Sequence, residues 1–447
     1  RMRFPLEVLR AVRKQVGPDF PILFRYSMEE FMPGGIDMEQ AVRIAKVMAD
    51  NGVDMLNVSI GIGESVEYII PPASVPDGWN ADRAAAIKRA VGSRIPVAVV
   101  GRICNRKAAE NIIASGKADL VAMGRALLAD PFLPAKLAEG RDDEILTCIG
   151  CNEGCTGMLN ECRPISCALN PRTGYEDDYP MTQADAPKAV VVIGGGPAGC
   201  EAALTAAQRG HKVVLFEATS TLGGLANIAA LPPGKGVFAT LGRYFSTMLP
   251  RAGVDVRLNT KADADAVRAL HPDHVIVSTG GTPIVPRFCA DSPVVLAQDI
   301  LTGAAQAGSR VLVIGGGLVG SETAEFLADK GREVTVVELR DGIALDMEYK
   351  TRQMLMPKLA ALGVVCLTET EVLEIGCNGN VKVKTPYLEK ELSGFDTVVV
   401  ALGYRPDAAL CADLAAADID FVQVGDCKKV GKIINGVWEA FQLAYRI

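Results

Sequence analysis

A glycine-rich pattern that occurs twice constrains the fold of this 447-residue chain more than any other feature. Residues 194–199 read GGGPAG and residues 315–320 read GGGLVG, and each run follows a short apolar stretch and opens a helical one. In both copies an acidic residue, Glu217 or Glu338, follows the first glycine by 23 positions. This spacing is the fingerprint of a βαβ unit that binds a dinucleotide. The repeat therefore predicts two Rossmann-like units within residues 188–447.

Each part of the fingerprint has a physical role. The glycines make the tight turn and let a pyrophosphate sit at the helix N terminus, and the acidic residue accepts hydrogen bonds from an adenosine ribose. Two copies indicate two dinucleotides, with FAD at the first and NADH at the second. Glu338 favours NADH because its charge would repel a 2′-phosphate, whereas Arg340 keeps NADPH as the alternative. The candidate residues of the two sites are Gly194, Gly196, Gly199, Glu217, Gly224, Thr279, Gly280, Gly315, Gly317, Gly320, Glu338, Gly425 and Asp426.

Two further segments fit this arrangement of two dinucleotides. Residues 275–283 (VIVSTGGTP) predict a strand that leads into a Thr-Gly turn. Residues 421–426 (FVQVGD) predict a strand that ends in Gly-Asp, where a flavin ribityl chain would bind. The FAD-binding domain is then discontinuous, over 188–290 and 395–447, and the NAD(P)H-binding domain is inserted at 291–394.

The first 140 residues repeat a strand-then-helix rhythm. The strand candidates are short, apolar and rich in β-forming residues, as buried parallel strands are. Four such units make half of a (βα)8 barrel or part of an open sheet. The predicted strands are 21–27, 55–61, 96–102 and 120–125, and the predicted helices are 38–51, 82–91 and 107–115.

The last two of these strands each end in a Gly-Arg pair, Gly101-Arg102 and Gly124-Arg125. The carboxyl ends of barrel strands carry the active site, and the last two strands commonly bind a phosphate. Glycine allows close approach of the backbone, and arginine supplies a forked donor. Because the pair occurs twice, we expect it to bind phosphate. The alternative is that each arginine closes its end of the sheet with an ion pair.

Five of the twelve cysteines lie close together, and four of them have the spacing Cys148-x2-Cys151-x3-Cys155-x11-Cys167. Four neighbouring thiolates need a cation or a cluster. A [4Fe–4S] cluster is favoured next to two dinucleotide sites, with zinc and unmetallated thiols as the alternatives. Cys162 lies within the last gap and is predicted to be a bystander rather than the fourth ligand. The remaining cysteines are predicted to be small buried or surface residues: Cys104, Cys200, Cys289, Cys366, Cys377, Cys411 and Cys427.

Composition narrows the class of protein. The net charge is −7 and no basic run occurs, which argues against a nucleic-acid surface. The apolar runs are too short to span a bilayer, and clustered rather than dispersed cysteines favour a reducing cytoplasm. No C-x2-C or C-x4-C pair lies in either dinucleotide domain, which disfavours a disulfide reductase. Residues 141–187 are predicted to form the cysteine segment and a polar linker.

Taken together, these motifs resemble the multidomain branch of the old-yellow-enzyme family, which includes 2,4-dienoyl-CoA reductase, 2-enoate reductase and trimethylamine dehydrogenase. The resemblance covers essentially the whole chain. It implies that residues 1–140 are the C-terminal half of a TIM barrel, so that four barrel strands precede Arg1. The matching segments, besides the two fingerprints, are 24–27 (FRYS), 99–102 (VVGR), 123–131 (MGRALLADP), 148–152 (CIGCN) and 167–171 (CALNP).

The resemblance implies an order of electron transfer. NADH reduces FAD, electrons pass singly through the [4Fe–4S] cluster to FMN, and FMN reduces an activated C=C bond of an enoate, enone or enoyl-CoA, or runs as a desaturase in reverse. The predicted partner is therefore a small unsaturated molecule, and a homo-oligomer is left open. The resemblance places the FMN ring at Arg25, its phosphate at Arg102, Gly124 and Arg125, and the cluster on Cys148, Cys151, Cys155 and Cys167.

The candidate catalytic residues are Tyr68 and Arg25, and here the chain departs from one family pattern. Dienoyl-CoA reductases carry Trp-His-Glu after the Gly-Ile-Gly of strand six, and the histidine helps to protonate the product. In this chain residues 61–63 (GIG) are followed by Glu64, and residues 1–140 contain no histidine. The proton then comes from Tyr68, Glu64 or Glu67, or from the preceding half of the barrel. A substrate-pocket wall is the equal alternative for Tyr68.

Three other functions are compatible with the sequence. An amine dehydrogenase shares the architecture, but the trimethylamine enzyme uses no nicotinamide, whereas the second fingerprint is intact here. A diaphorase that delivers electrons to a protein partner would not need the two Gly-Arg pairs. Half a barrel would also leave open sheet edges, so the chain alone could be inactive.

Overall fold

Residues 2–289, 293–376 and 379–447 are described by the computed structural model. Cys377 and the predicted domain boundary at 290–291 lie outside the described residues. Within the part of the chain that the structure describes, no helix combines the length and the apolar character that a membrane span requires.

The chain divides into two compact units. The first contains Arg1–Asp142 with Gly150–Asn152, and the second contains Asp143–Ile149 with Glu153–Ile447. Both units mix helices with mainly parallel sheets, which confirms the predicted α/β class. The four-part division predicted from the sequence stays a prediction.

The first unit is built on one parallel sheet whose four strands pair in chain order, as in a barrel segment. Its apolar core lies between the sheet and the connecting helices and includes Met48, Leu56 and Val58. The strands are β1 (Leu23–Ser27), β2 (Met55–Ser59), β3 (Val97–Val100) and β4 (Leu120–Ala122). The helices are α1 (Arg3–Val16), α2 (Met38–Asp50), α3 (Val66–Ile69), α4 (Ala81–Val91), α5 (Arg106–Ala114), α6 (Arg125–Ala129) and α7 (Leu133–Ala138).

Local signals explain where these elements begin. The side chain of Asp37 accepts a hydrogen bond from the backbone N–H of Gln40 and starts α2, and Asn105 caps α5 in the same way through Ala108. The fourth strand is shorter than the predicted range 120–125. Its carboxyl end is followed by a turn and then by α6, so that the second Gly-Arg pair stands at a helix start rather than in the strand.

The second unit contains two five-stranded parallel sheets, one for each copy of the fingerprint. The first sheet has the order β19-β8-β5-β6-β7 and the second has the order β10-β17-β11-β12-β13. The strands of the first are β5 (Ala189–Ile193), β6 (Lys212–Phe216), β7 (Asp255–Arg257), β8 (His274–Val277) and β19 (Val422–Gln423). The strands of the second are β10 (Val294–Leu296), β11 (Arg310–Ile314), β12 (Glu333–Val337), β13 (Val365–Leu367) and β17 (Thr397–Val400).

Smaller elements complete the second unit. The remaining strands form a three-stranded antiparallel sheet and a two-stranded ribbon: β14 (Glu371–Ile375), β15 (Val381–Lys384), β16 (Glu389–Leu392), β9 (Gly281–Pro283) and β18 (Tyr404–Pro406). The helices are α8 (Met158–Asn160), α9 (Pro197–Gln208), α10 (Leu225–Ala229), α11 (Thr240–Arg251), α12 (Ala264–Arg268), α13 (Ala297–Thr302), α14 (Leu318–Asp329), α15 (Tyr349–Ala361), α16 (Ala409–Ala416) and α17 (Ile433–Tyr445).

The sequence predicts helices over 200–209 and 321–330 after the two fingerprints. The helices after the fingerprints begin within the glycine run, at Pro197 and Leu318, because Gly196 and Gly317 are their N-cap residues. Strand β17 lies between β10 and β11 in the second sheet. The boundary at residue 394 stays a prediction.

Candidate functional site

The carboxyl edge of the first-unit sheet collects the polar residues expected there. Arg25 lies on β1, and its guanidinium donates to Asn57 Oδ1 at 3.0 Å and to Ser59 Oγ at 3.2 Å, both on β2. Arg25 and Asn57 are cross-strand partners in the parallel register. These two bonds fix the guanidinium along the sheet. Its proposed contact with a flavin ring stays a prediction.

Arg102 follows β3 and is the most buried arginine of this edge, with 7% of its surface exposed. Its Nη2 lies 3.1 Å from Asp77 Oδ1. Its Nε and Nη1 are buried and have no hydrogen-bond partner among the described residues. Buried N–H groups are almost always satisfied, so two donors of one guanidinium without a partner point to an anion that they bind. The arrangement fits the predicted phosphate, although the alternative ion pair is also formed.

A glycine from the cysteine segment makes room for this guanidinium. Gly150 has φ +65°, and a Cβ placed there would lie 2.2 Å from Arg102 Nη1. The backbone of Gly150 is held in place because its carbonyl accepts a hydrogen bond from the backbone N–H of Ala73 at 3.1 Å. A larger residue would require Arg102 to shift and would also be strained at this positive φ.

Arg125 differs from Arg102 in its surroundings. Its Nη1 donates to the carbonyl of Pro71 at 2.9 Å and to Asn152 Oδ1 at 2.6 Å. The amide of Asn152 donates in turn to the carbonyl of Ile70 at 3.0 Å. Nη1 of Arg125 therefore holds the loop after α3 in place through hydrogen bonds, a role that the sequence did not indicate. Its predicted phosphate contact, like that of Gly101 and Gly124, is not tested by these contacts.

Tyr68 lies in α3 within a cluster of aromatic rings. Its ring stacks on Phe31 with a centroid distance of 4.0 Å, and Trp79 lies 6.1 Å away. The guanidinium of Arg83 lies over both Phe31 and Trp79. The Tyr68 hydroxyl makes no hydrogen bond to any residue that the structure describes. The fixed ring suits a pocket wall and the unpaired hydroxyl suits proton transfer, so both alternatives stand.

The first fingerprint is closed by Glu217, which is buried at 9% exposure. Its Oε2 accepts the backbone N–H of Gly195 at 2.7 Å, and its Oε1 accepts the N–H of Thr219 at 2.7 Å. A Cβ on Gly199 would lie 1.9 Å from the carbonyl oxygen of Gly194, so glycine is required where the helix approaches the strand. This geometry fits an adenosine dinucleotide.

The second fingerprint repeats this geometry. Glu338, at 7% exposure, accepts the backbone N–H of Gly316 at 2.7 Å and that of Arg340 at 2.9 Å. The Nε of Arg340 lies 3.3 Å from Glu338 Oε1. A Cβ on Gly320 would lie 1.8 Å from the carbonyl oxygen of Gly315. Arg340 and Glu338 therefore form an ion pair beside the second turn, and the choice between NADH and NADPH stays a prediction.

Two buried carboxylates occupy equivalent positions in the two fingerprint helices, and the sequence did not single them out. In α14, Glu322 pairs with Lys235 Nζ at 2.7 and 2.8 Å. Burial raises the pKa of Glu322, and Lys235 opposes that rise. In α9, burial raises the pKa of Glu201 to about 7, although Thr205 donates a hydrogen bond to it.

The segments predicted to complete the first dinucleotide site meet at the end of β8 and β19. Thr279 Oγ1 donates to the carbonyl of Asp407 at 2.9 Å, and Gly280 follows it before β9. The backbone N–H of Gly425 donates to Glu439 Oε2 at 2.9 Å. Asp426 Oδ1 accepts the N–H of Gly431 at 3.0 Å, while burial raises the pKa of Asp426.

The cysteine segment packs on helix α17. Burial raises the pKa of the Cys167 thiol to about 12, and Cys148 and Cys155 are close enough to add to the rise. The Nε1 of Trp438 donates to the carbonyl of Cys167 at 3.0 Å. Among the described side chains no three His, Cys, Asp or Glu residues are spaced as ligands of one metal ion. Thiolates are the ligands of both a [4Fe–4S] cluster and zinc, and the cluster on Cys148, Cys151, Cys155 and Cys167 stays a prediction.

The fold and these sites define a class: an oxidoreductase with a flavin-binding barrel segment and two dinucleotide domains. Family models agree, since residues 1–144 match "NADH:flavin oxidoreductase / NADH oxidase family" and residues 188–426 match "Pyridine nucleotide-disulphide oxidoreductase". The chain belongs to the NADH:flavin oxidoreductase family of old-yellow-enzyme-like proteins, in its form with added FAD and NAD(P) domains.

Individual relatives match along the whole chain. It is 43% identical to an NADH oxidase of Thermoanaerobacter brockii over 100% of this chain and 70% of that protein. It is 32% identical to a cinnamate reductase of Clostridium sporogenes, over 100% of this chain and 69% of that protein. The structure of a 2-naphthoyl-CoA reductase complex has a TM-score of 0.94 at 32% identity and covers 100% of this chain and 68% of that chain. Dehydrogenases of methylated amines are also among the relatives.

Proposed function

We propose that the chain acts in an NADH-dependent ene-reductase, which reduces an activated C=C bond of an enoate, enone or enoyl-CoA. The observation that carries this proposal is the presence, in one chain, of two glutamate-closed dinucleotide turns and a buried arginine with unpaired donors at the carboxyl edge of a barrel sheet. The two glutamate-closed turns suit FAD and NADH, and the guanidinium of Arg102 suits the phosphate of FMN. The reductases named among the relatives support the same class of reaction.

The chain's own residues have distinct parts in this proposal. Arg102 would hold the FMN phosphate, Arg25 would lie beside its ring, and Tyr68 would line the substrate pocket or donate the proton. Cys148, Cys151, Cys155 and Cys167 would hold a [4Fe–4S] cluster. The chemistry that these groups supply when bound is hydride acceptance from NADH, single-electron transfer and hydride donation to the β-carbon of the alkene.

An amine dehydrogenase is the second candidate, because relatives include dehydrogenases of dimethylamine and of dimethylglycine and sarcosine. The two functions differ in the direction in which electrons cross the protein. An ene-reductase takes them from NADH, whereas an amine dehydrogenase takes them from its substrate. The intact second fingerprint favours the reductase.

The test begins with anaerobic purification and analysis of iron, sulfide, zinc, FAD and FMN per chain. NADH oxidation is then followed with cinnamate, an enone and an enoyl-CoA, beside dimethylamine with an artificial electron acceptor. About four irons and alkene-dependent NADH oxidation support the proposal. Zinc in place of iron contradicts the cluster, and dimethylamine oxidation without alkene reduction favours the second candidate.

A pair of cysteine variants sharpens the metal analysis. Cys155→Ser removes a proposed ligand, whereas Cys162→Ser changes an exposed cysteine within the same segment. We expect Cys155→Ser to lose most of its iron and Cys162→Ser to keep it. The reverse result would make Cys162 the ligand.

A further inference from the structure

The two fingerprint copies differ in the loop that follows their second strand. In the first copy the backbone N–H of Gly223 donates to the carbonyl of Gly195 at 2.8 Å. In the second copy Ala344 makes the same bond to Gly316 at 2.6 Å. Because Gly223 and Ala344 each follow the fingerprint glutamate by six residues, the two loops are equivalent at this point. Two residues further on, the first copy has Leu225 and the second has an aspartate.

That aspartate, Asp346, reaches the start of the second fingerprint helix. Its Oδ1 accepts the backbone N–H of Leu318, the first residue of α14, at 2.9 Å. A Cβ on Gly317 would lie 3.2 Å from its Oδ2. In the first copy the equivalent helix starts with Pro197, which has no N–H, and a Cβ on Gly196 would meet nothing within 4 Å. An acidic side chain thus fills a place in the second copy that is open in the first.

In dinucleotide-binding βαβ units the diphosphate binds at the start of the helix, which is the place that Asp346 fills here. The N terminus of a helix carries unsatisfied N–H groups and a partial positive charge, which attract anions. A carboxylate there satisfies the same donors as a phosphate would. The two anions repel each other and cannot both use the N–H of Leu318.

The surroundings of Asp346 allow it to leave. Its side chain is 49% exposed. Its ion-pair contact is with Arg340, whose Nη2 lies 3.8 Å from Oδ1 and which also pairs with Glu338. Asp346 is close enough to Glu322 to add to the rise of that carboxyl's pKa. Like-charge repulsion from Glu322 therefore favours movement of the Asp346 side chain away from the helix start.

We propose that Asp346 sets the affinity of the second dinucleotide site, because it occupies the diphosphate position until the dinucleotide displaces it. This rests on the proposed function, in which that site binds NADH, and identifies the residue that tunes it. Each binding event then includes the loss of one carboxylate–helix contact. Removal of the charge should strengthen binding.

The test uses the FAD-loaded chain and ADP-ribose, which carries the adenosine ribose and the diphosphate but cannot react. Asp346→Asn keeps an oxygen that can accept the N–H of Leu318 but removes the charge. We expect calorimetry to show a Kd for ADP-ribose about threefold to tenfold lower than in the wild type. The difference should shrink at high salt, because a half-exposed charge is screened.

The matched control is Asp341→Asn, which removes the same charge from an exposed residue of the same loop. It should leave the Kd unchanged, and FAD content with thermal unfolding should show that all variants fold. An unchanged or higher Kd for Asp346→Asn overturns the proposal, as does an equal gain in Asp341→Asn. If neither wild type nor variant binds ADP-ribose, the assignment of the second site fails as well, which separates the two failures.

Discussion

A single guanidinium shows how much of the first-unit site depends on local steric conditions. Arg102 has a φ of +49°, in a region that non-glycine residues rarely adopt. Such a conformation costs of the order of 1–3 kcal/mol. It persists only where the surrounding structure imposes it. The side chain of the same residue has two buried donors, Nε and Nη1, that no described residue accepts. Strained backbone conformations of this kind cluster at ligand-binding sites, which agrees with the proposed role of Arg102.

Gly150→Ala tests this close approach. The added Cβ would collide with Arg102 Nη1, so we expect the arginine to shift. The free energy of unfolding should fall by about 1–3 kcal/mol. The Kd for FMN should rise by about tenfold or more. Thermal unfolding and FMN fluorescence titration measure the two effects.

Gly140→Ala is the matched control for this substitution. Gly140 has a similar φ of +71°, but a Cβ there would meet nothing within 4 Å. Both variants therefore carry the same backbone strain, and only the first carries the collision. Equal losses of stability and of FMN affinity would show that strain alone is responsible and that Arg102 is not displaced.

Among the elements, helix α17 joins the cysteine segment to the first dinucleotide site. At its start, Lys432 pairs with Glu153 at 2.8 Å. In its middle, Trp438 bonds the carbonyl of Cys167, and Tyr175 packs edge-on against the indole at 5.4 Å. Glu439, on the next position, accepts the N–H of Gly425. One helix therefore contacts both the chain around Cys167 and the predicted flavin ribityl contact at Gly425.

Trp438→Phe should loosen this connection. Phenylalanine keeps most of the ring but loses the N–H, so the carbonyl of Cys167 loses a partner at a cost of about 1 kcal/mol. We expect faster hydrogen exchange in residues 153–170 and weaker retention of iron. Trp79→Phe is the control, because the Nε1 of Trp79 has no hydrogen-bond partner among the described residues. If exchange in 153–170 is unchanged in Trp438→Phe, α17 does not hold the segment.

At the scale of the whole molecule, a buried ion pair connects the two fingerprint regions of the second unit. Lys235 follows the first fingerprint in sequence and Glu322 belongs to the helix of the second, and the two are 87 residues apart. Their side chains are 15% and 9% exposed. Glu201, the equivalent of Glu322 in the first copy, has Thr205 as its side-chain partner among the described residues. The pair therefore distinguishes the copies and ties one predicted domain to the other.

Lys235→Met should destabilise the second unit in a pH-dependent manner. Burial already raises the pKa of Glu322 above its value in the unfolded chain. The contribution of the protonated Glu322 to the free energy of unfolding is therefore fully present at low pH. It is lost as the pH rises through the folded-state pKa. Without Lys235 the pKa rises further. We expect a loss of about 3 kcal/mol at pH 8 and a smaller loss at pH 5, measured by thermal unfolding at the two values.

The double variant Lys235→Met with Glu322→Gln is the control for this prediction. It removes the charge that Lys235 leaves unpaired, so most of the stability lost at pH 8 should return. A loss that is the same at both pH values, or that the second substitution does not repair, would mean that Lys235 acts through packing against Phe238 rather than through the charge.

The sequence by itself determined the α/β class, the two dinucleotide units and the glycine positions within them. These follow from short-range rules, because a run of glycines, an apolar strand and an acidic residue at a fixed distance act through neighbouring backbone atoms. The position of Gly199 and Gly320 against the preceding strand is an example. Helix starts and strand ends were displaced by a few residues, since caps depend on single hydrogen bonds.

Only the tertiary structure decided which partners the functional side chains have. Arg102 and Arg125 have the same Gly-Arg context in the sequence, yet Arg102 has two donors without a partner among the described residues and Arg125 donates to a loop carbonyl. Asp346 and Trp438 carried no sequence signal, because their partners lie 28 and 271 residues away and chain folding alone brings them together. The local pattern thus specified which ligands the chain could bind, whereas long-range packing set which donors and acceptors remain available to bind them.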